Sequence, residues 1–203
     1  MSRDIASAIL AGGHSRRMGT DKALLRLHPD GPALIETVVA RLTEAGLPPA
    51  LIVTDTPERY DWLDIRSVTD VIPGAGALGG ILTALTHSPE ELTFIVACDM
   101  PLLNPALLRY MASLPFDADA FVPRWTEADG SARIEPLHAV YSAQCIEPVR
   151  ARIEVGKLKV TDTLDDLEVR YIEEADLRRY DPTLSSFRNV NTPQDWAEMA
   201  PSN

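Results

Sequence analysis

The sequence predicts an α/β fold, a mostly parallel central sheet covered by helices on both faces. Three observations carry that prediction. Short apolar runs alternate with longer segments of helical periodicity, the pattern of strand–helix–strand units. A glycine-rich turn follows the first apolar run directly, where open α/β sheets bind their ligands. No Pro/Gly/Ser linker, internal repeat or low-complexity tract divides the chain, so residues 1–203 read as one domain.

The elements follow in order. Residues 5–10 (IASAIL) read as a buried strand. Residues 32–45 place Leu34, Val38, Leu42 and Ala45 at helical spacing, with Pro32 suited to a first turn and Gly46 to a stop. Residues 50–53 form a second strand and residues 68–72 a third, which ends in Pro73-Gly74-Ala75-Gly76. A short helix is expected over 80–86, and residues 93–97 (TFIVA) form a central strand. Asn104 is a good cap for a helix over 105–114. Strands at 118–122 and 137–141 flank a polar excursion, residues 124–133. A helix over about 143–154 leads into a charged stretch with one strand, 169–172. The last element opens at Asn191, with Thr192 as cap and Pro193 as first helical residue.

Charge narrows the class of partner. The 203 residues hold 19 Lys+Arg against 30 Asp+Glu, a formal net charge of −11, which disfavours nucleic acids and anionic membranes. The acidity is uneven. Between Gly13 and Arg26 four basic residues stand against Asp21 alone, so the remainder carries 15 basic and 29 acidic side chains. Cys98 and Cys145 make no disulfide framework, and His14, His28, His87 and His138 lack metal-ligand spacing. With no signal-peptide core and no apolar run near the ~18 residues that span a bilayer, a soluble cytoplasmic protein is expected.

The segment Leu10-Ala11-Gly12-Gly13-His14-Ser15-Arg16-Arg17-Met18-Gly19-Thr20-Asp21-Lys22 carries the chemistry. Glycines after a buried strand let backbone N–H groups close around an anion, and Arg16, Arg17 and Lys22 add charge suited to a polyphosphate. The spacing is neither G-x-G-x-x-G nor G-x-x-x-x-G-K-[ST].

This pattern resembles the signature of nucleotidyltransferases with a GT-A-like Rossmannoid fold, and among them the molybdenum cofactor guanylyltransferase (MobA) family. Further stretches match in order. Asp70 followed by Pro73-Gly74-Ala75-Gly76-Ala77-Leu78-Gly79-Gly80 resembles the family's Asp and Gly-Pro-Leu-Ala-Gly loop. Val96-Ala97-Cys98-Asp99-Met100-Pro101 resembles its metal-binding Asp motif. Glu135-Pro136-Leu137-His138-Ala139-Val140-Tyr141 matches a Pro-Leu-x-x-x-Tyr strand, and Phe187 to Pro193 its Asn-x-Asn-Thr-Pro motif. The loop departs from the pattern at Ala77, where Pro is usual, and at Gly79, where Ala is usual. Thr54-Asp55 stands where relatives often carry an Asn.

The resemblance implies a Rossmann-like, three-layer α/β/α nucleotidyltransferase domain that transfers GMP from Mg-GTP to Mo-molybdopterin. It implies nucleotide contacts from Leu10, Ala11, Gly12, Gly13, Lys22, Thr54, Asp70 and Asp99, with Lys22, Asp99 and Arg16 as catalytic groups. The second substrate falls to Gly79, Gly80, Asn189 and Asn191, and cofactor-insertion proteins are implied as partners. Asp99 ends an apolar strand at the ligand edge, where a carboxylate suits Mg²⁺. The charged residues 124–133 suit either a mobile rim over a substrate or solvated surface, and Lys157 and Lys159 either an anion contact or surface. Rival readings are a cytidylyl, sugar-phosphate or phospholactate nucleotidyltransferase, or a non-catalytic nucleotide or pterin carrier. Within that resemblance, the paired Gly12-Gly13 and Arg16-Arg17 favour the guanylyl branch over the cytidylyl branch, whose loop typically reads Ala-Ala-Gly.

Overall fold

A computed structural model describes residues 4–12, 22–26, 31–190 and 195. Strand β1 (Ile5–Leu10) pairs in parallel with β2 (Pro49–Val53) on one side and with β4 (Leu92–Ala97) on the other. β3 (Ser67–Val68) continues the parallel run beyond β2. β7 (His138–Ser142) lies antiparallel to β4, and β5 (Ala120–Thr126) antiparallel to β7. β5 also takes β6 (Ala132–Ile134) antiparallel and β8 (Val169–Glu173) parallel, completing one eight-stranded sheet. The expected mostly parallel sheet is therefore present, with β6 and β7 reversed.

Side-chain alternation sorts the strands' residues to two helical layers. Ile9, Ile52, Phe94, Val96 and Phe121 face one core, against α1 (Leu34–Glu44), α3 (Pro105–Ser113) and α6 (Glu174–Tyr180). Ala8, Leu10, Leu51, Ile95 and Tyr141 face the other, against α2 (Gly76–His87) and α4 (Ile146–Glu154). Register agrees with that sorting: Ile9 lies opposite both Ile52 and Val96, and Ala8 opposite both Leu51 and Ile95. Each of the Val, Ile, Leu and Phe side chains among them contributes roughly 1.5–3 kcal/mol when wholly buried. No helix among the described residues is long and apolar enough to cross a membrane.

Several elements differ from expectation. The third strand stops at Val68 because the Val71 N–H donates to Thr83 Oγ1 (3.0 Å) instead of to a ladder partner, which turns residues 69–72 away from β2. The small residues expected to form a loop are instead the first turns of α2, which begins at Gly76. The anticipated helix over 143–154 opens with a 3-10 turn, Ala143–Cys145, capped by Ser142 Oγ on the Gln144 N–H. α6 was hidden in the charged stretch. Leu177 is its one buried side chain, but its Glu174 and Asp176 lie in the first turn and its Arg178 and Arg179 in the last, favourable to the helix dipole. A four-residue helix, α5 (Val160–Thr163), also occupies that stretch. The final element opening at Asn191 lies outside the described residues, apart from Asp195.

The excursion over 124–133 is the hairpin of β5 and β6, turned at Gly130 (φ +83°). Its base is held by three contacts. Arg124 pairs with Glu173, its guanidinium lies 4.3 Å over the Tyr171 ring, and the Thr126 N–H donates to Glu174 Oε2 (3.0 Å).

His138 is the strangest member of the core. It is fully buried, packed edge-on to Phe94 (5.6 Å) and Phe187 (4.9 Å), with neither ring nitrogen partnered among the described residues. Burial pushes its pKa down to about 3, Asp181 opposing. The unfolded chain takes up this proton near pH 6.5 while the native state does not, so this group's contribution to stability falls as pH drops from 6.5 towards 3. His138→Phe removes that loss. Relative to the wild type it should gain about 2 kcal/mol of unfolding free energy between pH 7 and pH 5, read from urea midpoints. An unchanged difference at the two pH values would refute it.

Candidate functional site

The chain leaves β1 by α1 towards β2 and returns through α2 to β4 on β1's other side, so the crevice between β1 and β4 is a topological switch point. A cavity of about 650 Å³ opens there. The Ala11 N–H donates to Val53 O (2.8 Å) and the Cys98 N–H to Leu10 O (3.0 Å), fastening the ends of β1, β2 and β4 side by side. Leu10, Ala11 and Gly12 line the floor that results. A Cβ at Gly12 would meet nothing closer than 4.0 Å, so packing does not require glycine there; its bareness leaves the backbone open to a ligand.

Lys22 opens a 3-10 turn, Lys22–Leu24, whose Ala23 is buried in the core. That turn is held against α1, since Leu25 O accepts from the Leu34 N–H (2.9 Å) and Arg26 pairs with Glu36 (3.2 Å). Lys22 Nζ thereby stands 3.6 Å from Asp99 Oδ2, just beyond the end of β4. Burial raises the Asp99 pKa above the ordinary carboxylate value, and Lys22 works against that rise. Its other oxygen, Oδ1, is buried with no hydrogen-bond partner among the described residues.

On the β2 side, Thr54 and Asp70 line the same cavity. Thr54 is buried, and its Oγ1 accepts from the Thr56 N–H (3.3 Å). Asp70 Oδ1 lies 3.2 Å from the Thr83 hydroxyl on α2. Burial raises the Asp70 pKa, the Thr83 hydrogen bond lowers it, and the charge of Asp55 raises it again. Asn189 completes the lining from the far end of the chain, and the adjacent Val190 N–H donates to Asp99 O (2.8 Å).

Nine of the residues singled out by sequence thus share one cavity, Gly80 among them. Gly79 does not. A Cβ on it would sit 2.8 Å from Ala75 Cβ, so this glycine permits α2 to close on its own N-terminal loop. Gly80 has a packing role as well, for its Cβ would come within 3.2 Å of Leu10 Cδ1. Gly13, Arg16, Arg17 and Asn191 lie outside the described residues. Lys157 and Lys159 are exposed and outside the lining, and Lys159 pairs with Asp162 (2.7 Å).

Two carboxylates were missed. Asp55 lines the cavity, although in the sequence it stands out only beside Thr54, where relatives often carry an Asn, and with no role of its own. Glu135, quoted only as part of a strand motif, has its pKa raised to about 7 by burial, with a further rise from Asp99. The Leu137 N–H hydrogen bond to Glu135 Oε1 (3.0 Å) opposes both.

This donor set suits one hard cation in part. Among the described residues no group of three or more His, Cys, Asp or Glu could hold a metal. The unpartnered Asp99 Oδ1 is the anionic oxygen that Mg²⁺ accepts when substrate phosphates and water supply its other ligands. The exposed backbone of Gly12 and the lysine beside that carboxylate fit a phosphate group.

Known proteins share this architecture. The model of the MobA-like NTP transferase domain matches residues 7–168. A relative from Chloroflexus aggregans is 36% identical over 94% of this chain and 91% of its own. Another, from Methanothermobacter thermautotrophicus, is 38% identical over 96% and 98%. Both bear the name "Probable molybdenum cofactor guanylyltransferase". The crystal structure of molybdopterin-guanine dinucleotide biosynthesis protein A from Archaeoglobus fulgidus superposes with a TM-score of 0.76, at 28% identity and 95% coverage of both chains. With that extent of match on sequence and fold, the chain belongs to the MobA-like NTP transferase family.

Proposed function

We propose that this protein transfers GMP from GTP to the terminal phosphate of Mo-molybdopterin, giving the guanine dinucleotide and pyrophosphate. The names borne by its relatives support the substrates. The observation that carries the chemistry is Lys22 set 3.6 Å from Asp99, whose second oxygen is buried and has no partner among the described residues, at the switch point of the sheet.

The triphosphate lies along Leu10, Ala11 and Gly12, where the exposed backbone of Gly12 faces it, and Lys22 takes phosphate charge. Thr54 and Asp70 meet the nucleoside. Gly80 and Asn189 line the side left for the acceptor, and Arg16, Gly13 and Asn191 keep the roles implied by sequence. An oxygen of the acceptor phosphate attacks the α-phosphorus; the bond from that phosphorus to the β-bridging oxygen breaks, and its electron pair leaves with pyrophosphate. The attacking oxygen is already anionic near neutral pH, so no side chain need remove a proton, which agrees with a cavity that holds no histidine among its described lining. Catalysis then rests on positioning and on neutralising charge. Mg²⁺, held by Asp99, would supply part of that neutralisation. The two buried thiols, Cys98 and Cys145, suit a reducing cytoplasm.

Pyrophosphate release with each NTP, with and without molybdopterin, tests the reading. GTP should turn over only with the acceptor present, and faster turnover with CTP would overturn guanylyl transfer. Asp99→Asn should lower kcat by about 10²–10³, and EDTA should silence the wild type until excess MgCl₂ is added; a chelator-resistant enzyme contradicts the metal's place. Lys22→Ala should raise the GTP KM about tenfold or more, with kcat also reduced. A GTP KM unchanged in that variant would remove Lys22 from the phosphate site.

A further inference from the structure

A column of four rings runs outward from the central sheet. Phe94 on β4 meets the His138 ring (5.6 Å), His138 meets Phe187 (4.9 Å), and Phe187 stacks on Trp125 of the β5–β6 hairpin at 4.8 Å and 19°. Phe187 belongs to the segment 186–190, which crosses the end of β4 and is tied down at both ends. At one end the Ser186 N–H donates to Asp181 Oδ2 (2.7 Å) and Ser186 Oγ accepts from the Asn104 N–H (2.9 Å). At the other end the Val190 N–H donates to Asp99 O (2.8 Å). Between those anchors Arg188 and Asn189 are exposed, and Phe187 is the buried side chain that holds the span.

Trp125 covers the outer face of that ring without lining the cavity. It can do so rigidly. Its Nε1 donates to Glu127 Oε1 (3.1 Å), and its neighbours Arg124 and Thr126 are bonded to Glu173 and Glu174. We infer that Trp125 is a positioning residue for acceptor binding. By clamping Phe187 against His138 it fixes the span that sets Asn189 in the cavity beside Asp99. The inference rests on the acceptor role of Asn189 proposed above. A flat ring is what the clamp needs, so phenylalanine should serve where leucine does not.

The test measures KM separately for molybdopterin and for GTP, together with Tm. Trp125→Leu should raise the molybdopterin KM about five- to tenfold and leave the GTP KM within about twofold, and Trp125→Phe should recover most of the loss. Phe187→Leu should repeat the pattern. Asn189→Ala should also raise the molybdopterin KM, and the Trp125→Leu/Asn189→Ala double variant should be no worse than Asn189→Ala alone, because both act through one contact. Multiplying effects in the double variant would overturn the inference, since Trp125 would then act without Asn189. Equal losses for GTP and molybdopterin with a lowered Tm would reduce Trp125 to ordinary packing, and a silent Trp125→Leu would equally defeat the clamp. A silent Asn189→Ala would instead fail the reading of Asn189 itself.

Discussion

The parallel pairing of β1 with β4 is the constraint on which the site depends. The two strands are neighbours in the sheet but are separated in sequence by α1, β2, β3 and α2, so their ends can be brought together only by burial of what lies between. Ile9 and Val96 share one core layer and Ala8 and Ile95 the other, and a one-residue slip in register would exchange the two sets. Such a slip would also move Asp99 away from the glycine turn. The same hydrophobic sorting that makes the sheet therefore sets the spacing between the Gly12 backbone and the Asp99 carboxylate.

Layer by layer, the helices refine that placement. α1 anchors the turn that carries Lys22, through the Leu34–Leu25 backbone bond and the Arg26–Glu36 pair. α2 lies close over Leu10 because Gly80 has no Cβ, and it sends Thr83 back to bond Asp70 and the Val71 N–H. The reversed β7 and the segment beyond α6 close the side opposite, where Asn189 enters. An acidic chain of net charge −11 can still offer an anion a local site here because Lys22 and the exposed Gly12 backbone act at short range, whereas its more distant surface carboxylates are screened within about 10 Å.

How much of this was legible depended on what kind of signal each residue left. Leu10 to Gly12, Lys22, Asp70 and Asp99 could be read because each sits where an apolar run gives way to glycine, proline or charge, the punctuation of a strand end. Gly79 stands off the cavity lining for a reason the sequence does not display: a glycine that spares a ligand and one that spares Ala75 Cβ are alike in sequence, and only packing separates them. Glu135 and Asp55 gave no spacing pattern, since each is a lone carboxylate whose meaning comes from its neighbour in space, Asp99 for one and Asp70 for the other. α6 escaped because a helix that buries one leucine has almost no hydrophobic period to detect.

Two side chains near the site hold buried polar atoms with no partner among the described residues, and they mean opposite things. His138 sits among aromatic rings, and burial holds it neutral, so its unpartnered nitrogens cost hydrogen bonds but no uncompensated charge. Asp99 retains Lys22 beside one oxygen while the other stays bare at a cavity wall. A carboxylate oxygen in that state is costly unless something charged arrives to meet it. The fold nevertheless fixes Asp99 through its own carbonyl, bonded to the Val190 N–H, so the side chain is not free to relax the cost by drifting away with its backbone. Unmet bonding capacity held at a switch point, between a lysine and a bare glycine backbone, is the physical signature of a ligand site. The same unmet capacity in an aromatic core marks only the tolerance of a well-packed interior.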